Sequence, residues 1–578
     1  MMISPSQCRL HAARVSGSTA LLSLVLLAGI TPAPSAVAGN ADADGASASG
    51  EVRFVEDAER SGLDFTHVNG MVGNYWLAEV IGSGVAVLDF DNDGWLDLWV
   101  VQGGPFGDRS GTLPQDQLFR NVTVAGELRF SNVTAASGVH ATGYGMGIAT
   151  ADIDNDGDFD VFLANYGANQ LYENLGDGRF KDITQASGLA GTDWSIAASF
   201  ADFDGDGWTD LYVANYVEFD LDSHKVCHDL AARPTYCTPE VYRSTSDRLY
   251  RNLGNGRFQD VTRAAAVEGS HGGALGVVAA DFNGDGRIDF YVANDAAENL
   301  LWLNRGDGSF VNRALLTGVA VNGNGQAEAS MGIAAQDFDG DCDVDIFLTH
   351  LAAETNTLYV NEGGGWFSDR SNSTRVAASS APFTGFGTGW FDADNDGDLD
   401  LFSANGAVTA LPDQLAAGSD YPLQQVNQLW LNDGRGRYRE SAGGPAFKLE
   451  EVSRGAAFGD LDNDGDIDIV VTNNRGQARL YRNDSPRAHW LGVELSDGFA
   501  SRLGSRARLE ANPCGYRRAA TDGSYASASD PRLVFGLAGD AAAQYVRVQW
   551  VDGSEEAYGP LAADRYHRLR RGQGRAVR

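Results

Sequence analysis

The sequence predicts an all-β protein, a seven-bladed β-propeller followed by a small C-terminal β domain. Three observations predict it. An aspartate ladder of the form D-x-D-x-D-G-x-x-D begins at Asp89, Asp152, Asp202, Asp281, Asp337, Asp392 and Asp460, with Asn283 and Cys342 as its two departures. A second pattern, Leu-aromatic-x-Asn, follows each ladder and ends at Asn121, Asn174, Asn252, Asn304, Asn361, Asn432 and Asn483. Short apolar runs broken by Gly, Asn and Asp fill the space between them, and no stretch has the period of an amphipathic helix.

In chain order, Arg9 and Arg14 precede an apolar run from Thr19 to Ile30, and Ala36-Val37-Ala38 has the small-x-small form of a cleavage site. The reading is a secretory signal over 1–38 and a linker over 39–51. The run has 12 residues, short of the ~20 that a spanning helix needs. No Cys follows it, which argues against a lipid anchor, and no later stretch is long and apolar enough to cross a membrane. The expected location is secreted, periplasmic or cell-surface.

The repeats fill 52–485. A unit opens with a segment such as Phe180-Lys181-Asp182 and a Ser187-Gly188-Leu189 turn. A small-residue strand such as Gly147 to Ala151 leads into the ladder, an apolar strand such as Phe159 to Asn165 leaves it, and the Leu-aromatic-x-Asn element closes the unit. Near the axis of a tapering ring strands crowd, which accounts for Gly and Ala in the first strand. The bulkier second strands fill the widening space between blades. A linear solenoid of the same units is the rival arrangement. Successive ladders start 63, 50, 79, 56, 55 and 68 residues apart. The 79-residue gap holds a cysteine-bearing insert and the 68-residue gap a second insert, about Ala407 to Val426, and such insertions decorate a rim where ligands bind. The remaining segment, 486–578, is assigned to the C-terminal β domain.

Hydrophobic residues make up 43% of the chain, so it is globular, and its net charge is −35. That charge excludes nucleic acid as a partner. Its distribution is uneven: Pro486 to Arg578 carry 14 Arg against 10 acidic residues. Either this is a separate domain with an ordinary surface, or it is a basic face that docks on the acidic ring.

Cys227 and Cys237 lie close together, and an oxidising compartment favours pairing them. His224 and His228 beside them leave a transition-metal site as the other reading. Cys342 and Cys514 read as unpaired, with Cys342 a small stand-in for the ladder glycine.

The ladder chemistry points to Ca2+. A hard dication takes many oxygen ligands at about 2.3–2.6 Å. Alternate carboxylates, a glycine turn, a backbone carbonyl and a returning aspartate supply them, in sequence the first nine positions of an EF-hand loop flanked by strands. The predicted ligands are Asp89, Asp91, Asp93, Trp95 through its carbonyl, and Asp97 in the first ladder. The second has Asp152, Asp154, Asp156, Asp158 and Asp160, and the third Asp202, Asp204, Asp206, Trp208 and Asp210. In the fourth stand Asp281, Asn283, Asp285, Arg287 and Asp289, and in the fifth Asp337, Asp339, Asp341, Asp343 and Asp345. Asp392, Asp394, Asp396, Asp398 and Asp400 form the sixth, and Asp460, Asp462, Asp464, Asp466 and Asp468 the seventh. No thiol or imidazole is built into the pattern, which disfavours Zn2+ and Cu2+, and Mg2+ prefers fewer protein ligands. Up to seven structural Ca2+ ions are expected. The fifth site, with Cys where a left-handed backbone favours Gly, is expected to be the most distorted.

The seven ladders resemble FG-GAP/VCBS repeats of the integrin-like propeller. The tail resembles the ASPIC/UnbV domain in His489-Trp490-Leu491-Gly492-Val493, Gly504-Ser505-Arg506-Ala507, Gly523-Ser524-Tyr525, Phe535-Gly536-Leu537 and Val548 to Gly553. In combination the chain resembles a bacterial member of the cartilage acidic protein family. Ala407 and Ser501 depart from that family's usual His and Asn. The resemblance implies extracellular calcium binding, with adhesion or matrix-type interaction.

No catalytic residue is assigned. His67, His271, His350 and His489 stand isolated, and His350 with Glu354, together with Arg454, mark the best candidate rim site. The function expected is an exported calcium-binding module, a monomer that binds an envelope or extracellular protein or glycan. The alternative is a calcium-dependent polysaccharide lyase or another carbohydrate-active enzyme.

Overall fold

The computed structural model describes residues 51–106, 112–124, 126–269, 272–497, 502–542 and 544–577. The predicted signal segment, His271 and Ser501 lie outside them. Seven four-stranded antiparallel sheets form the blades. Their first strands are Val85–Leu88, Tyr144–Ala151, Ser195–Ala201, Gly273–Ala280, Ile333–Gln336, Gly385–Phe391 and Ser453–Gly459, here blades I to VII. The second strands begin at Asp97, Asp160, Asp210, Asp289, Asp345, Asp400 and Asp468, the last aspartate of each ladder. Every ladder is therefore the turn between the first two strands of its blade, and all seven emerge at one end of the ring.

The ring closes on itself. Phe54–Glu56 is the outermost strand of blade VII, pairing Phe54 with Asn483 and Glu56 with Tyr481. This excludes the solenoid and shifts the repeat frame. The opening segment Phe180–Asp182 pairs with Gln170–Asn174 and belongs to blade II, not to the unit that follows it. The Ser-Gly-Leu element is a single helical turn, Thr184–Ser187, ended by Gly188 at φ 87°. At the equivalent Gly138, φ 78°, a Cβ would press to 2.9 Å on the Phe180 carbonyl oxygen. Apolar clusters fill the gaps between adjacent blades, such as Tyr291 and Leu301 of blade IV with Ile346 and Tyr359 of blade V.

The repeated asparagine is a latch between blades. Asn304 Nδ2 donates to the Ile288 carbonyl of its own blade at 3.1 Å and to the Phe203 carbonyl of blade III at 2.7 Å. Asn121, Asn174, Asn252, Asn361 and Asn483 reach in the same way to Leu461, Phe90, Ile153, Phe282 and Ala393 of the preceding blade. Asn304→Ala strands buried acceptors on two blades, and the expected loss is about 2–4 kcal/mol, read from the midpoint of a denaturant titration.

The tail forms two sheets. Strands 533–538, 489–496 and 566–570 make a three-stranded one, and 517–518, 506–509, 544–549, 555–561 and 575–576 a five-stranded one. Leu491, Phe535, Val546, Val548 and Trp550 pack between them. The segment 521–530 then leaves these sheets and runs down the central channel. Ala528 exchanges backbone hydrogen bonds with Val85 and Val87 of blade I, and Ser524 with Ile333 of blade V. Ile148 N donates to the Ala526 carbonyl, and Thr521 Oγ1 to the Thr150 carbonyl of blade II. Asp522 accepts from Ser199 of blade III and the Ala279 amide of blade IV. Ser524 Oγ bridges the Thr388 amide of blade VI and the Ala456 carbonyl of blade VII. All seven first strands thus touch the segment. Their small residues make room for it: a Cβ on Gly84 would overlap the Ala526 carbonyl oxygen.

Candidate metal centres

Each ladder is organised by its own backbone. Asp89 accepts from the Asp93 and Gly94 amides at 3.1 and 2.9 Å, and Asp93 accepts from the Trp95 amide at 3.0 Å. Asp97 is shared: one oxygen accepts from the Phe90 amide at 3.1 Å and the other from the Asn121 amide at 2.7 Å. The same frame recurs at Asp160, Asp210, Asp289, Asp345, Asp400 and Asp468. The ninth position thereby ties the ladder to the closing asparagine.

In the first ladder, oxygens of Asp89, Asp91 and Asp97 lie within 4.8 Å of one another, and so do those of Asp152, Asp154 and Asp160, Asp337, Asp339 and Asp345, and Asp392, Asp394 and Asp400. In the third ladder the grouping is Asp202, Asp204 and Asp206. Burial pushes the carboxyls of Asp97, Asp210 and Asp345 up to about 9 and that of Asp289 to about 8, against the pull of their amide donors. Neighbouring aspartates add to the rise. The donor set fits a hard dication. It offers oxygen only, it is gathered at one point, and Asp91 Oδ1 and Asp154 Oδ1 are buried with no hydrogen-bond partner. A bound Ca2+ would supply positive charge at the centre of these clustered carboxylates.

The fifth ladder keeps this frame. Cys342 adopts φ 83°, and Asp337 still accepts from the Gly340, Asp341 and Cys342 amides. Asn283 in the fourth keeps its oxygen on the Asp285 amide and turns its Nδ2 to the Asp285 carboxylate. Arg120 reaches Asp91 and Asp93 at 2.7 and 2.9 Å, and Arg251 reaches Asp204 and Asp206 at 2.6 and 2.8 Å. Sequence reading passed over these arginines. Their signal was the variable position of Leu-aromatic-x-Asn, where Arg alternates with Glu173, Leu303, Val360 and Leu431.

The tail docks on the ladder end, so the basic-face alternative describes the contact. Arg517 donates to the Gly397 carbonyl at 2.9 Å, and Arg532 to Asn463 Oδ1 and the Asp460 carbonyl at 2.9 and 3.0 Å. Tyr566 donates to the Asp460 carboxylate at 2.8 Å. Cys342 is not unpaired. It forms a disulfide with Cys514, stapling the fifth ladder to the tail. The expectation failed because the partners are 172 residues apart, a distance at which spacing carries no information about proximity. Cys227 and Cys237 form the other disulfide, so the transition-metal reading of that insert falls.

The histidine candidates do not converge. His350 is buried, with Nε2 3.6 Å from Glu328, while Glu354 accepts instead from the Ala329 and Leu351 amides. His67 is buried and accepts from the Arg475 amide, and His489 pairs with Asp564 at 2.9 Å. Arg454 is fully buried, donates to the Val80, Gly406, Ser453 and Ala407 carbonyls, and lies over the Phe386 ring.

Fold and site together define an FG-GAP-type repeat propeller with a docked tail. The model for the FG-GAP-like repeat matches residues 89–163, 152–213, 236–292, 281–348 and 337–403, and that for ASPIC and UnbV matches 498–576. The chain belongs to the family that joins FG-GAP-like repeats to an ASPIC and UnbV domain. It is 26% identical over 307 residues to cartilage acidic protein 1 of Homo sapiens, covering 51% of this chain and 43% of that one. With the Mus musculus protein it shares 25% over 357 residues, covering 60% and 51%. The chain thus spans about half the length of the curated relatives it matches. Among solved structures it is similar to BBS1N, crystallised in complex with ARL6DN, at 11% identity, covering 71% of this chain and 94% of that one with a TM-score of 0.39. An Agrocybe aegerita protein described as recognising non-reducing terminal N-acetylglucosamine matches at 16%, covering 67% and 88%, with a TM-score of 0.35.

Proposed function

We propose that the protein is an exported, calcium-stabilised propeller that acts as a binding or adhesion module for an envelope or extracellular protein or glycan. The observation that carries this is the ladder geometry: seven oxygen-only turns on one frame, with carboxylate oxygens buried and unpartnered in two of them. Two disulfides support residence in an oxidising compartment. The relationship to cartilage acidic protein 1 supports a binding role. No helix among the described residues is long and apolar enough to cross a membrane.

The tail occupies the ladder end, which leaves the opposite end to present the partner surface. There the two inserts, near 217–247 and 407–427, stand between the second and third strands of blades III and VI. In this reading Ca2+ fixes the blades and the inserts select the partner. The test is capture from the envelope of the producing cell, with and without Ca2+. Specific retention in Ca2+, lost in chelator and in a variant lacking the 220–242 insert, is the expected result. Retention that survives both treatments overturns it.

A further inference from the structure

At the end of the ring away from the ladders, a cavity of about 360 Å³ opens between the segment before blade I and the two inserts. Tyr75, Tyr236 and Tyr421 line it, and Val408, Leu415 and Leu423 give it an apolar side. Tyr75 and Tyr236 pack edge to face with their centroids 5.4 Å apart. Its volume is that of a small-molecule site, about 300–1,000 Å³.

Glu79 forms part of the floor and is buried from bulk water. One oxygen, Oε2, accepts from the Tyr236 hydroxyl at 3.3 Å, the Trp76 and Val72 amides lie near the carboxylate, and Oε1 makes no well-formed hydrogen bond. The rim charges cancel. Asp229 pairs with Arg233 at 2.7 Å, and Asp420 with Arg475 at 3.6 Å. Arg454, the cation buried beneath the same aromatic cluster, is spent on four backbone carbonyls. Glu79 is therefore the one carboxylate of the cavity lining without a cationic partner. The flexible thioether of Met71, also in the lining, shares the Tyr236 hydroxyl at 3.5 Å.

We propose that this cavity binds a small organic monocation, an ammonium group on an apolar body, with Glu79 as its counter-ion and the tyrosine rings as its cage. The chemistry follows from the lining. A buried carboxylate short of one partner is satisfied by an N–H donor that carries charge. Tyrosine faces attract cations and tolerate an apolar stem, and a carboxylate at the floor repels an anion. The site uses none of the ladder residues, so it stands or falls apart from the calcium reading.

Isothermal titration of the full chain in calcium-containing buffer tests it with three ligands of one body: phenethylamine, phenethyl alcohol and phenylacetate. The amine is expected to bind at least about tenfold more tightly than the alcohol, a difference of about 1.4 kcal/mol, and phenylacetate not to bind. Glu79→Gln removes the preference for the amine and leaves alcohol binding unchanged. If that variant does not fold, Ala410→Trp, which fills the cavity from its wall, is expected to abolish amine binding. An alcohol that binds as well as the amine, an amine that gives no saturable heat, or amine binding unchanged in the folded variant overturns the proposal.

Discussion

Stripping divalent cations with excess chelator is expected to lower the melting temperature by more than about 10 °C, and added Ca2+ to restore it. A ligand at a hundredfold excess over its Kd stabilises the folded state by about 2.7 kcal/mol per site. Several sites together reach on the order of 10–20 kcal/mol, and even in a ring of this size that displaces the melt by many degrees. The structure says why the effect spreads beyond the turns. The ninth-position aspartate of each ladder holds the amide of the closing asparagine, and in six of the seven blades, all but the sixth, that asparagine latches the preceding blade. Repulsion released in one turn thus loosens a joint between blades. Arginines supply a positive charge to some ladders, Arg120 to the first, Arg251 to the third and Arg287 to the fourth. Mg2+ is expected to restore less than Ca2+, because it holds to fewer protein ligands. Differential scanning calorimetry decides the matter, and an unchanged melt in chelator removes the structural role of the ion.

Removing the tip of the central segment is expected to be the most damaging single truncation of a side chain. Tyr525 is fully buried, donates to the Ile81 carbonyl at 3.1 Å and packs edge to face on Phe386. Truncating a buried aromatic costs about 3–5 kcal/mol, so Tyr525→Ala is expected to fall in that range in a denaturant titration. Gly84→Ala attacks the same contact from the ring side, since its added methyl overlaps the Ala526 carbonyl oxygen. Gly84 and Ala526 both accept backbone hydrogen bonds, from Val101 and Ile148, so neither can yield cheaply. A Gly84→Ala protein with wild-type stability would mean that the segment does not occupy the channel.

What repeats was legible in the residues, and what joins the repeats was not. The ladders, the closing asparagines and the small first strands recur with local spacing, so the blade count and the turn chemistry followed from them. The asparagine latch was not visible because its acceptors are carbonyls, which carry no signature in the sequence. The frame of the unit was offset because Phe180–Asp182 pairs backward, a fact about hydrogen bonding between strands. Small first strands fit crowding near an axis. Crowding is half of the reason, and the tail segment that enters the channel is the other half. The basic balance of the tail pointed toward that docking, and Cys342, an odd cysteine in a turn made for glycine, marked one point of it, but its partner lay beyond any local pattern.

The closing strand also sets an order of events for the nascent chain. Phe54–Glu56 emerges among the first residues of the ring and must wait for Arg479–Asn483, near its end. Contacts between such distant parts of a chain form slowly. Until synthesis reaches blade VII no polypeptide can complete the circle, and the segment that threads the hub arrives later still. A chain released early would keep raw sheet edges at both ends, the exposed state that aggregates.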